Sequence, residues 1–189
     1  MNQYINNEIS GVIKIIASKH PEVVFCGSLS LVLNGLLKRQ INDIDILVND
    51  DYTQKGGFFN KNRLAAENIC TSHTFFVDDN KIKCFPLIIN NVKVDVLYNE
   101  NSSPVYNEFD FDGTKILIEK PEAAINFKKK YILNIDDQLN ILKHFKDLIL
   151  LGIEREELVN ILNQSCFFKE KQGSFNDINN LKNDDDIPF

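Results

Sequence analysis

Two aspartates stand one residue apart inside an apolar run, Asn42-Asp43-Ile44-Asp45-Ile46-Leu47-Val48. In an extended strand successive side chains alternate faces, so Asp43 and Asp45 share one face, about 7 Å apart at the backbone, while Ile44 and Ile46 point into the core. Carboxylates side by side repel. A hard divalent cation such as Mg2+, which takes oxygen ligands, relieves that repulsion, whereas a solvated face on a half-buried sheet gives the same pattern without a ligand. Two further features bear on the choice. Upstream, Gly27-Ser28 closes an apolar strand and opens a helix, a turn whose free backbone N–H groups favour an anion and whose glycine allows close approach. Downstream, Val92-Lys93-Val94-Asp95-Val96-Leu97 places a third acid on an alternating strand able to pair beside the first. Three acids around a phosphate-accepting turn suit a two-metal displacement at phosphorus.

The elements that must position these residues are readable from periodicity. Ile5 to Lys19 carries one apolar helical stripe that ends before Pro21, Val23 to Cys26 reads as a short buried strand, and Leu29 to Leu37 as a helix beginning near Ser28. Asp43 to Val48 is a second strand, followed by a loop around Gly56-Gly57 and a helix from Asn62 to Ile69. Thr74 to Val77, Lys81 to Phe85, Leu87 to Ile89 and Val92 to Tyr98 read as further strands. The last two are joined by Asn90-Asn91, which tolerate the positive φ of a tight hairpin turn. Lys115 to Ile118 is expected as an edge strand. Pro121 fits the first position of a helix reaching Tyr131, a second helix runs from Ile135-Asp136-Asp137 to Leu151, and Glu154 to Asn163 forms a third. The expected fold class is α/β (α+β): a mixed sheet over 1–120, a helical part of the same domain over 121–164, and from 165 to 189 a polar, flexible acidic tail too poor in apolar residues to order itself.

Phe25-Cys26-Gly27-Ser28-Leu29 through Gly35, then Arg39, then Asp43-Ile44-Asp45-Ile46-Leu47, with Asp95 on a later strand, resembles the nucleotidyltransferase fold of the DNA polymerase β superfamily. Fourteen residues separate Ser28 from Asp43. The resemblance implies that Asp43 and Asp45 hold two Mg2+ (or Mn2+) ions, that Asp95 holds one of them and helps activate an acceptor hydroxyl, and that Gly27 and Ser28 grip a nucleoside triphosphate. The C-terminal half resembles the family's small stand-alone members, among them abortive-infection and toxin-like transferases, through Lys120-Pro121-Glu122-Ala123-Ala124, Lys128 and Lys146-Asp147. It marks Lys128 as a phosphate ligand and Asp147 as a site candidate; an exposed basic helix face with an ordinary salt bridge is the alternative. Arg39 either reaches a phosphate or pairs with Asp43.

A second signal lies at the far end, Asp184-Asp185-Asp186-Ile187-Pro188-Phe189. It resembles the C-terminal tip of bacterial single-stranded DNA-binding protein. In chemical terms Phe189 enters an apolar pocket, its α-carboxylate meets a cation, and the aspartates engage a basic rim. The implied partners are repair helicases, exonucleases and clamp-loader subunits. The plainer alternative is a solubilising acidic end.

Bulk composition narrows the classes. At 189 residues, 43% apolar and 25% charged, the chain suits one globular domain with residue left over. A formal charge of −6 argues against wrapping duplex nucleic acid, although Lys128-Lys129-Lys130 and Lys143 to Lys146 provide local basic faces. Cys26, Cys70, Cys84 and Cys166 are scattered without a C-x-x-C pair, which argues against zinc, and no apolar run reaches the ~20 residues of a membrane span. A cytoplasmic protein of a bacterial or phage-infected cell is expected, transferring a nucleoside monophosphate to a hydroxyl on RNA, protein or a small molecule. The competing expectation is an idle transferase fold, of phage or mobile-element type, that binds host replication and repair proteins through its terminal peptide.

Overall fold

A computed structural model of the chain describes residues 2–48, 73–77, 80–99, 105–134 and 138–166. The expected Gly56-Gly57 loop, the helix over 62–69, Cys70, and the tail from 167 with its terminal peptide lie outside the described residues. The chain divides into two compact units, Met1–Lys128 and Lys129–Phe189.

The first unit is built on one mixed sheet. Its strands are β1 (Val24–Cys26), β2 (Asp43–Val48), β3 (His73–Val77), β4 (Asn80–Ile89), β5 (Val92–Asn99), β6 (Tyr106–Phe111) and β7 (Thr114–Glu119), in the spatial order β3-β4-β5-β2-β1-β7-β6. β2 runs parallel to β5 and β1 parallel to β7, while β1 and β2 are antiparallel. The alternation read from the acidic stretch holds. Ile44, Ile46 and Val48 are buried and the residues between them half-buried, and full burial of each isoleucine stabilises the fold by about 1.5–3 kcal/mol.

Helix α1 (Asn7–Lys19) starts where the Asn6 side chain accepts the Ile9 N–H at 2.8 Å, a cap of about 1 kcal/mol. Its buried stripe of Ile9, Val12, Ile13, Ile16 and Ala17 packs on β2, β5 and β7. Helix α2 (Gly27–Leu33) packs on β1, β2 and β7. It stops four residues before the expected end at Leu37, because Gly35 takes φ +75° and the N–H groups of Leu36 and Leu37 both turn back to Leu31 O.

Three strand expectations need correction. Lys81 to Phe85 and Leu87 to Ile89 are one strand, β4, continuing through Pro86. Among the described residues the β3 ladder on β4 runs from Asn80 to Cys84, so Pro86 lies beyond that ladder and faces Asp95 on β5. The expected edge strand at Lys115–Ile118 is internal, lying between β1 and β6. β6 was not anticipated: its sequence YNEFDF is mostly exposed and carries the acids Glu108 and Asp110, as suits an edge but hides the alternation that marks a strand. Asn90 and Asn91, at φ 48° and 64°, make the expected tight turn between β4 and β5.

Helix α3 (Pro121–Asn134) begins in the first unit and continues into the second, which also contains α4 (Gln138–Leu150) and α5 (Arg155–Gln164). In the second unit Lys129 pairs with Glu157 at 2.6 Å, and the rings of Tyr131 and His144 lie 4.5 Å apart. Among the described residues no helix is long and apolar enough to cross a membrane.

Candidate active site

The acidic face assembles from register. β2 and β5 place Asp45 directly opposite Asp95 and Asp43 opposite Lys93, while β1 places Cys26 opposite Asp45. Opposed residues project to the same side of a sheet, so Asp43, Asp45, Lys93 and Asp95 share one face, with Cys26 beside them. Asp95 is mostly buried, its side chain 14% exposed. Its Oδ2 accepts from Lys93 Nζ at 2.6 Å, and its Oδ1 is buried without a hydrogen-bond partner among the described residues. Burial pulls the Lys93 ammonium's pKa down, but Asp95, Asp43 and Asp45 together more than offset this and leave it raised.

The turn from β1 into α2 closes over this face. Gly27 has φ +63°, a conformation that disfavours any side chain, and a Cβ there would run into the Asp45 carboxylate. Its N–H donates to Glu119 Oε2 at 3.2 Å, from the end of β7. Ser28 is buried, and its hydroxyl accepts from Arg39 Nη2 at 2.8 Å and from Lys128 Nζ at 3.1 Å. Lys128, 2% exposed on α3, is therefore no surface lysine. Arg39 reaches Ser28 and the Gln40 carbonyl.

The geometry thus brings together Gly27, Ser28, Arg39 and Lys128 at one end of the face, and Asp43, Asp45 and Asp95 along it. Asp147 is buried on α4 of the second unit. Asp184, Asp185, Asp186, Ile187, Pro188 and Phe189 lie outside the described residues.

Comparison by sequence finds no matching family profile and no matching curated protein. Comparison by structure does find likenesses. An antigenic nucleotidyltransferase-like protein from Paracoccidioides brasiliensis superposes with a TM-score of 0.50 at 13% identity, covering 91% of this chain and 92% of that one. A Thermotoga maritima protein named provisionally as a nucleotidyltransferase gives a TM-score of 0.50 at 19% identity, over 77% of this chain and 94% of that one. The chain has a nucleotidyltransferase-like fold.

Within this nucleotidyltransferase-like fold one residue of consequence escaped the sequence reading. Glu119 accepts the Gly27 N–H, and burial pushes its carboxyl from the ordinary 4.5 to about 7, against the lowering influence of that hydrogen bond and of Lys128. The available signal was an acid ending the alternating stretch TKILIE just before Pro121. Burial first, then Glu119 and Asp45, push the Cys26 thiol well up, so it stays protonated.

The donor chemistry, three carboxylates, is of the kind a hard divalent cation takes. They share a face, and one of their oxygens is buried with no partner among the described residues, a costly state that a cation would relieve. Among the described residues no group of three or more His, Cys, Asp or Glu side chains is arranged so that it could hold a metal ion, and the charge nearest Asp95 is the Lys93 ammonium.

Proposed function

We propose that this protein is a metal-dependent nucleotidyltransferase, moving a nucleoside monophosphate from a nucleoside triphosphate to a hydroxyl on RNA, protein or a small molecule. The observation that carries the reading is the direct register of Asp45 with Asp95, whose buried Oδ1 has no partner among the described residues, beside a hydroxyl on which two cations converge. Asp43, Asp45 and Asp95 hold Mg2+ or Mn2+. When bound, the metal neutralises charge at the α-phosphate and on the departing pyrophosphate.

The chain's own residues do the rest. Gly27 lets the triphosphate approach the backbone, and the Ser28 hydroxyl, Lys128 ammonium and Arg39 guanidinium bind its outer phosphates. Asp95 orients the acceptor hydroxyl and draws off its proton. The acceptor oxygen then bonds to the α-phosphorus in line as the bond to the bridging oxygen breaks and pyrophosphate leaves. The terminal Asp184 to Phe189 peptide tethers the enzyme to proteins that bind the tip of single-stranded DNA-binding protein, in a bacterial or phage-infected cytoplasm.

One observation favours the idle-fold reading: an ammonium, not a cation cage, sits on Asp95. Labelled triphosphates with Mg2+ or Mn2+ and a cell extract separate the two. The enzyme reading expects a labelled acceptor band that Asp43→Asn and Asp45→Asn each weaken about 100-fold or more, the equivalent of several kcal/mol of transition-state stabilisation, without loss of fold. Transfer retained by both variants rejects it.

A further inference from the structure

We infer that Lys93 is a resident counter-cation of the acidic face, one whose ammonium a divalent metal must displace, so that this lysine sets how tightly the site loads. The inference rests on the metal-dependent reading above.

Lys93 Nζ lies 2.6 Å from Asp95 Oδ2, a short charge-assisted contact. Register puts Lys93 opposite Asp43, and two positions along the same strand put it on the same face as Asp95. One ammonium therefore stands among the carboxylates that the metal needs. The two members of the pair differ in freedom: the Lys93 side chain is 51% exposed and that of Asp95 14%. The carboxylate is the fixed partner, and the lysine is the one that can swing into water on its flexible stem. Asp95 Oδ1, buried and without a partner among the described residues, stays uncommitted while Lys93 holds Oδ2.

Two consequences follow. Without metal, the ammonium offsets the mutual repulsion of Asp43, Asp45 and Asp95, which explains why adjacent strands can carry three acids on one face. With metal, a dication and an ammonium on one carboxylate repel at close range, so loading and the ion pair compete.

Mn2+ titrated into the full chain, with free Mn2+ read by electron paramagnetic resonance, tests this. Lys93→Met keeps the stem and removes the charge. Its Mn2+ dissociation constant is expected to fall on the order of tenfold, while Lys93→Arg, which keeps the charge, stays near wild type. A constant that is unchanged or raised in Lys93→Met overturns the inference. A second measurement uses the wild-type chain alone: acetylation of Lys93 by acetic anhydride, read by mass spectrometry, is expected to accelerate severalfold on adding Mg2+, and an unchanged or slower rate overturns it. Asp45→Asn distinguishes the two layers. If wild type binds Mn2+ no better than Asp45→Asn, the metal reading falls and the role of Lys93 with it. If wild type binds and Asp45→Asn does not, while Lys93→Met matches wild type, the metal reading stands and only the lysine's role is lost.

Discussion

Glu119 makes the stability of this protein fall as pH rises through a window set by its own environment. Its carboxyl ionises near 7 in the folded chain, against an ordinary 4.5, chiefly because burial disfavours the charge. Between these values the folded protein keeps a proton that the unfolded chain has released, so the native state binds more protons and stability declines with pH. Below the window both states are protonated, above it neither is, and the loss saturates. A displacement from 4.5 to about 7 corresponds to about 3 kcal/mol as an upper bound. Glu119→Gln isolates this effect: the amide oxygen still accepts the Gly27 N–H, and only the ionisation is removed. Denaturant unfolding at steps from pH 4.5 to 8, followed by far-ultraviolet circular dichroism because the chain has no tryptophan, gives the difference between variant and wild type. It should grow from near zero at the acid end to as much as ~3 kcal/mol in favour of Glu119→Gln at pH 8, or several degrees in Tm at about 2–4 °C per kcal/mol for a chain of this length. Curves that run parallel across the window, or a variant less stable than wild type at pH 8, would refute the reasoning.

Other perturbations probe the turn. Gly27→Ala forces a side chain into a left-handed conformation, costing about 1–2 kcal/mol, and drives its Cβ into the Asp45 carboxylate; denaturation midpoints should show a larger loss than the backbone cost alone, part of which Asp45→Ala restores in the double variant. Ser28→Ala removes an acceptor shared by two charged donors. The expected loss is about 1–2 kcal/mol, toward the lower end because Arg39 and Lys128 each keep further interactions, and triphosphate affinity measured by calorimetry should fall with it.

What the sequence disclosed was what local period encodes. The stretch from Asp43 to Val48 announced its two faces because the burial alternation has the same period as the side chains. Asn90-Asn91 announced a turn because few other residues tolerate positive φ twice in succession. Register was another matter. That Asp95 stands opposite Asp45, rather than one position away on the other face, follows from pairing between strands whose partners are separated by fifty residues of sequence. Glu119 was invisible for a related reason: its shifted ionisation comes from burial that only the folded chain creates, beside a turn at Gly27 ninety-two residues away in sequence. β6 was missed because an edge strand guarded by charge lacks the pattern that marks its neighbours.

The choice between a cation-binding face and a merely solvated one turns on Gly27. A sharp strand-to-helix turn by itself requires a glycine only for its positive φ. Here a second constraint is present, since the space a Cβ would fill is taken by the Asp45 carboxylate. A plainly solvated face does not by itself press a carboxylate against a turn. Nor does it leave a neighbour's oxygen buried without a partner, as Asp95 Oδ1 is among the described residues. The orphaned oxygen costs stability in the protein alone, and under the proposed function a cation on the carboxylates relieves it. A carboxylate held against the turn and, on the same face, an oxygen without a partner among the described residues are two features that a plainly solvated surface does not call for.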